Sequence, residues 1–143
     1  MKHKPRSNTP IAPARGKYSR EKAGLARLRA IHGDYGPAVL GKLDGIAPDL
    51  KKWIIEFGFG EVYSRPGLDL RARQITTITA LVALGHAGDE LQAHIRAGLK
   101  AGLARREVVE IIMQLALYAG FPAAIRGIMA AQRTFAELDG NRG

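Results

Sequence analysis

His94 is the side chain in this sequence best placed to move a proton near neutral pH from the margin of a helical interior. An imidazole titrates at about 6.5 when unperturbed, so it exchanges a proton where carboxylates and amines do not. His94 lies three residues after Leu91 and four before Gly98, which puts it on the edge of a stripe formed by Leu91, Ile95, Gly98, Leu99 and Gly102. Further along the chain, Glu110, Gln114 and Tyr118 fall at i, i+4 and i+8 and share one helix face. Such a polar stripe can line a cavity with His94, face water or meet a partner subunit, and the spacing alone does not choose. The other histidines, His3, His32 and His86, read as surface or loop positions. No two histidines stand at metal-ligand spacing, so no metal site is expected. Cysteine is absent, which removes disulfides, thiolate ligands and cysteine nucleophiles together.

Three helices in the stretch from Arg65 to Ala124 must position these groups. The first carries Ile75, Ile78, Thr79 and Val82 on one face, with Asp69 as its N-cap and Gly85 as its stop. The second holds His94 and closes at Gly102, a residue suited to the left-handed position after a last turn. The third places Val108, Ile111, Ile112, Leu115 and Ala119 inward, has Glu107 at the positive end of its dipole, and ends at Gly120 before Phe121-Pro122. Upstream, Ser19 is expected to cap a helix through Leu25, Leu28 and Ile31 to Gly33. A short helix follows near Ala38 to Leu43, and Pro48-Asp49 opens another bearing Leu50, Trp53, Ile54 and Phe57. Gly58 and Gly60 are expected to break that helix, and Trp53 with Phe57 to enter the core, or else to wall a pocket. Downstream, Ala123, Gly127, Ala130 and Ala131 mark a last helix whose small side chains admit another helix closely. No segment alternates with period two for long enough to form a strand, so the fold class is all-α.

A chain of 143 residues with 46% apolar content can bury one core. The expected organisation is a basic, Pro-containing tail over residues 1–18, disordered or draped on a neighbour, and a single helical domain over 19–143. The net charge of +9 resides in the tail and its neighbourhood: residues 1–29 hold nine of the 22 basic side chains and one of the 13 acidic ones. The remainder is nearly neutral, so a solvated extension is preferred to nucleic-acid binding. No apolar run approaches the roughly 18 residues of a membrane span, and there is no signal-peptide core. Cytoplasmic location and no membrane partner are the corresponding expectations. Because Gly and Ala occupy many helical contact positions, assembly into a homo-oligomer is expected to add core that the single chain lacks.

The ordered set Trp53, Gly60, Arg65-Pro66-Gly67-Leu68, Arg73, Thr77, Ala80-Leu81, Ala83-Leu84, His94-Ile95-Arg96, Glu110, Gln114, Tyr118-Ala119-Gly120 and Pro122-Ala123-Ala124 resembles the gamma-carboxymuconolactone decarboxylase family over about Lys22 to Glu137. The resemblance implies an all-helical bundle of the alkyl hydroperoxide reductase D type, assembled as a ring of three or six subunits. It also implies a decarboxylase that uses no cofactor, in the protocatechuate branch of aromatic degradation. Superfamily members of the peroxidase kind use a Cys-x-x-Cys pair shortly before the histidine. Matched through His94, those positions fall near Ala87 and Glu90, so thiol peroxidase chemistry is excluded here.

On that resemblance, the small-molecule substrate is an unsaturated lactone acid whose carboxyl group leaves as carbon dioxide. The electrons left behind spread through the ring double bond to the lactone carbonyl, which needs no metal or organic cofactor. The protein must supply a cationic anchor, a donor at the developing oxyanion, an apolar wall and an acid for the carbon. His94 is assigned as that acid, or as the oxyanion donor; Arg73 as the carboxylate anchor, with Arg65 and Arg71 as second choices. Tyr118 and Gln114 are candidate donors to the lactone oxygen, Glu61 a candidate orienter of His94, and Trp53 a candidate wall. Arg96 points away from His94 on the same helix and is assigned to a subunit contact. Two departures from the family pattern, Ala104 for a capping Thr and Lys100 for an Asn, bear on the loop after the second helix. A non-catalytic helical oligomer that binds a small ligand or partner is the alternative.

Overall fold

The computed structural model describes residues 17–141, and among them every regular element is helical. Two compact units result, Met1–Asp69 and Leu70–Gly143. Of the tail expected over residues 1–18, residues 1–16 lie outside the described residues.

The first unit contains α1 (Lys17–His32), α2 (Tyr35–Gly41) and α3 (Pro48–Trp53), and α3 runs directly into a π-helix over Ile54–Val62. Helix α1 starts before Ser19, which therefore lies inside the first turn rather than capping it. It ends as expected at Gly33, whose φ of 61° only glycine adopts freely. Pro48 opens α3 at a position where a missing N–H costs nothing. The π-helix is the departure from expectation: Gly58 and Gly60 lie within it rather than ending a helix. Its wider turn is seen in the bond from Tyr63 N–H to the Gly58 carbonyl, five residues back, at 2.9 Å.

Ile55 and Phe59 are buried, whereas Trp53 and Phe57 are 63% and 62% exposed, so neither belongs to this unit's core. Phe59 stacks with Tyr63 at 5.3 Å and meets the edge of His32 at 5.9 Å, so His32 is a half-buried helix-end residue rather than a free surface one. Helix α1 and the π-helix touch backbone to backbone. A Cβ on Gly60 would stand 2.7 Å from the Arg20 carbonyl oxygen, and one on Gly24 2.8 Å from the carbonyl carbon of Ile55.

The second unit contains α4 (Leu70–Ala83), α5 (Asp89–Lys100), α6 (Arg105–Gln114), α7 (Ala116–Ala119) and α8 (Phe121–Gly140). Helix α4 begins directly after Asp69 and buries Gln74, Ile78 and Val82 along one stripe. It closes with Gly85 at φ 81° and a bond from His86 N–H to the Leu81 carbonyl, the six-to-one pattern of a glycine-terminated helix. Helix α5 ends the same way: Gly102 has φ 100°, and Leu103 N–H donates to the Gly98 carbonyl at 2.9 Å. Asp89 and Glu90 in its first turn and Lys100 in its last complement the helix dipole.

Helix α6 stops at Gln114 instead of running on to Ala119, because Leu115 adopts a turn and its N–H bonds to Ile112, three residues back. The stripe Glu110, Gln114 and Tyr118 is therefore split between two helices. Helix α8 packs through Ala123, Ala124, Gly127, Ala130 and Ala131, all buried. Gly127 lies against Ile112 of α6 and Val82 of α4, which realises the close approach expected of these small residues. Ile78, Val82, Leu91, Ile95, Val108 and Ile112 form the centre of this core. Arg96 pairs with Glu137 of α8. Arg105 holds Asp139 through two hydrogen bonds of 2.6 and 2.9 Å, and this bonding raises the guanidinium pKa above its ordinary value. None of the described helices is long and apolar enough to cross a membrane.

Candidate functional site

Helices α4 and α5 bring His94 to a fully buried amide. The Nδ1 atom of His94 lies 2.9 Å from Oε1 of Gln74, and because a carbonyl oxygen only accepts, Nδ1–H is the donor. His94 itself is half-buried, in keeping with its place at the margin of the α5 stripe. Gln74 has 0% exposure, and its amide nitrogen has no hydrogen-bond partner among the described residues. The two residues are joined across the α4–α5 contact because α5 is thin at that point. A Cβ on Gly98, one turn after His94, would lie 3.6 Å from Cβ of Gln74 and 3.4 Å from Cδ1 of Ile78.

Sequence reasoning missed Gln74, although a signal was present. Gln74, Ile78 and Val82 stand at i, i+4 and i+8, so a polar residue occupies a position of the buried α4 stripe. A buried amide needs a partner, and on this chain that partner is the histidine.

Arg73 precedes Gln74 on α4 and is half-buried, with its Nε atom sequestered from solvent. Arg71 lies two residues earlier and on the opposite side of the helix. Its guanidinium donates to Oε1 of Glu107, while Oε2 of the same carboxylate accepts the Ala104 N–H at 2.8 Å. Glu107 thus supplies half of a capping box; Ala104, lacking a side-chain oxygen, cannot supply the other half. Both members of this ion pair border a surface cleft of about 620 Å³, along with Arg106, Glu110 and Gln114 over an aliphatic floor. His94 is not among the cleft's lining residues. The cations around the cleft are matched by carboxylates, so it offers little net attraction for an anion.

The remaining sequence candidates are placed as follows. Tyr118 is on α7, 80% exposed, and does not line the cleft that Gln114 borders. Trp53, Glu61 and Arg65 belong to the first unit and are all exposed. Glu61 sits in the π-helix, 4.0 Å from the Arg20 guanidinium. Of the eight candidates, the structure gathers Arg71 and Gln114 at one cleft, and it joins His94 to a residue outside that set.

Comparison with known proteins gives a consistent result. Residues 48–133 match the family described as the Carboxymuconolactone decarboxylase family. The chain is 39% identical over 99 residues to a 4-carboxymuconolactone decarboxylase of Acinetobacter baylyi, covering 69% of this chain and 73% of that protein. It is 32% identical over 98 residues to an uncharacterized 15.0 kDa protein of Paracoccus denitrificans, covering 68% and 73% of the two chains. A nitrosuccinic acid decarboxylase of Metarhizium robertsii is 31% identical over 85 residues, 59% of each chain.

Proposed function

Since the chain belongs to the carboxymuconolactone decarboxylase family, we propose that it is a carboxy-lyase acting, without a cofactor, on an unsaturated lactone acid of the carboxymuconolactone type. The observation that carries this reading is the bond from His94 Nδ1–H to the buried Gln74 carbonyl. An imidazole held in this way keeps one nitrogen occupied and exchanges its proton at the other.

In the proposed reaction the bond between the ring carbon and the departing carboxylate breaks, and carbon dioxide leaves. The electron pair moves through the ring double bond onto the lactone carbonyl, giving a dienolate. His94 then transfers its Nε2 proton to carbon, which restores the lactone with a shifted double bond; the ring is reprotonated from water before the next turnover. Arg73 is proposed as the anchor for the second carboxylate, a role suited to the bidentate fork of a guanidinium. Gln114 and Tyr118 remain proposed donors to the lactone oxygen, and Arg65, Arg71, Glu61 and Trp53 proposed substrate contacts.

The two relatives named as decarboxylases have different acids in their names, so the family supports loss of a carboxyl group more strongly than one substrate. A place in aromatic catabolism and in the cytoplasm is part of the proposal. So is assembly into a ring of three or six copies. Exposed Phe121, Ile125 and Met129, at i, i+4 and i+8 along α8, supply an apolar stripe suited to such a contact.

The test follows carboxymuconolactone spectroscopically with purified wild type and His94→Ala. Wild type is expected to consume it, and the variant to lose roughly 10²- to 10⁴-fold in kcat, the range for one general acid. No consumption by wild type would remove this substrate; equal consumption by both would remove the histidine mechanism.

A further inference from the structure

We propose that Gln74 is a positioning residue: its buried carbonyl holds the Nδ1 proton of His94, so that the proton exchanged in catalysis is always the one on Nε2. The inference rests on the decarboxylase reading for its purpose, but its physical content can be tested without substrate.

Three observations carry it. The contact has full hydrogen-bond geometry, 2.9 Å, between groups 20 residues apart in sequence. Gln74 is fully enclosed and packed from the α5 side at Gly98, so its side chain has little freedom to move away. Its amide nitrogen is buried without a partner among the described residues, an unfavourable arrangement in a side chain whose only role is packing. A leucine or methionine would fill the same stripe position on α4 without leaving a buried donor unmatched.

The choice of an amide over a carboxylate has a chemical consequence. Imidazolium carries protons on both nitrogens, and Oε1 accepts the one on Nδ1. When the Nε2 proton passes to carbon, the neutral ring keeps Nδ1–H, and the same bond persists without rotation of either side chain. No reorganisation is needed at the moment of transfer. A carboxylate at this position would also orient the ring, but its charge would stabilise imidazolium and weaken it as an acid. Glutamine orients the ring without adding charge.

The experiment uses full-length protein labelled with ¹⁵N-histidine, with the His94→Ala spectrum identifying the His94 signals. Above the pH at which the ring becomes neutral, wild type is expected to show Nδ1 protonated and Nε2 bare. Gln74→Met removes the acceptor while keeping the volume. It should move the ring toward the Nε2–H form that free histidine prefers, and lower kcat by roughly 10- to 100-fold with KM little changed, the scale known for removing the partner that orients a metal-bound histidine. Gln74→Glu restores an accepting oxygen and should restore the Nδ1–H form with part of kcat. A wild-type ring protonated on Nε2, or a folded Gln74→Met with unaltered tautomer and kcat, would overturn the proposal. The wild-type spectrum decides the question even where a variant does not fold. Absence of turnover by wild type, by contrast, would count against the decarboxylase reading alone.

Discussion

Gly127→Ala tests whether the core of the second unit depends on backbone-close packing of α8. An added Cβ would lie 2.8 Å from Cγ2 of Ile112 and 3.1 and 3.2 Å from the two γ carbons of Val82. Carbon atoms pack best at about 3.5–4.0 Å, so the overlap is roughly 0.7 Å with Ile112 and roughly 0.3–0.4 Å with Val82. Both neighbours are β-branched, stiff about χ1 and essentially inaccessible to solvent, which leaves them little room to yield. Helix α8 must then move outward, and overpacking of this kind costs about 3 kcal/mol at the upper end of its usual range. The better helix propensity of alanine returns about 1 kcal/mol, for a net loss of about 2 kcal/mol. With a urea slope of about 2 kcal/mol/M, the unfolding midpoint should fall by about 1 M. The measurement is urea unfolding followed by circular dichroism at one protein concentration, because assembly would otherwise move the midpoint. Gly41→Ala is the control: nothing lies within 4 Å of its added Cβ, so it should be neutral or stabilise by up to about 1 kcal/mol. A Gly127→Ala midpoint at or above that of wild type would refute the packing argument.

Gly98→Ala should act on function more than on stability. Its Cβ would meet Cδ1 of Leu103 at 2.9 Å, the end of a flexible side chain, so the stability loss should stay under about 2 kcal/mol. If α5 lifts from α4 to accommodate it, the His94–Gln74 bond stretches, and the ring should lose its Nδ1–H preference in the ¹⁵N spectrum. Glu107→Ala should cost about 1 kcal/mol by removing the acceptor of the Ala104 N–H, whereas Glu107→Gln, which keeps an accepting oxygen, should cost less than about 0.5 kcal/mol. Equal losses in thermal unfolding would show that the Arg71 ion pair outweighs the cap.

The helical class, the glycine stops and the small-residue face of α8 were legible in the sequence because each depends on neighbours within a turn or two. Gly85, Gly102 and Gly120 do adopt positive φ, at 81°, 100° and 85°, and each stands directly beyond or between helices. The position of His94 at the edge of a buried stripe was equally local. What tertiary structure alone decided was which side chains from distant helices meet. Gln74 reaches His94 across 20 residues, Arg71 reaches Glu107 across 36, and Arg96 reaches Glu137 across 41. Periodicity says which face of a helix turns inward; it does not say which residue of another helix lies opposite. The π-helix shows the same limit in one segment, since Gly58 and Gly60 read as helix breakers but lie inside a helix with i→i+5 bonding. Gly24 and Gly60 bring α1 and the π-helix into backbone contact, a pairing across two helices that no single stretch of sequence contains.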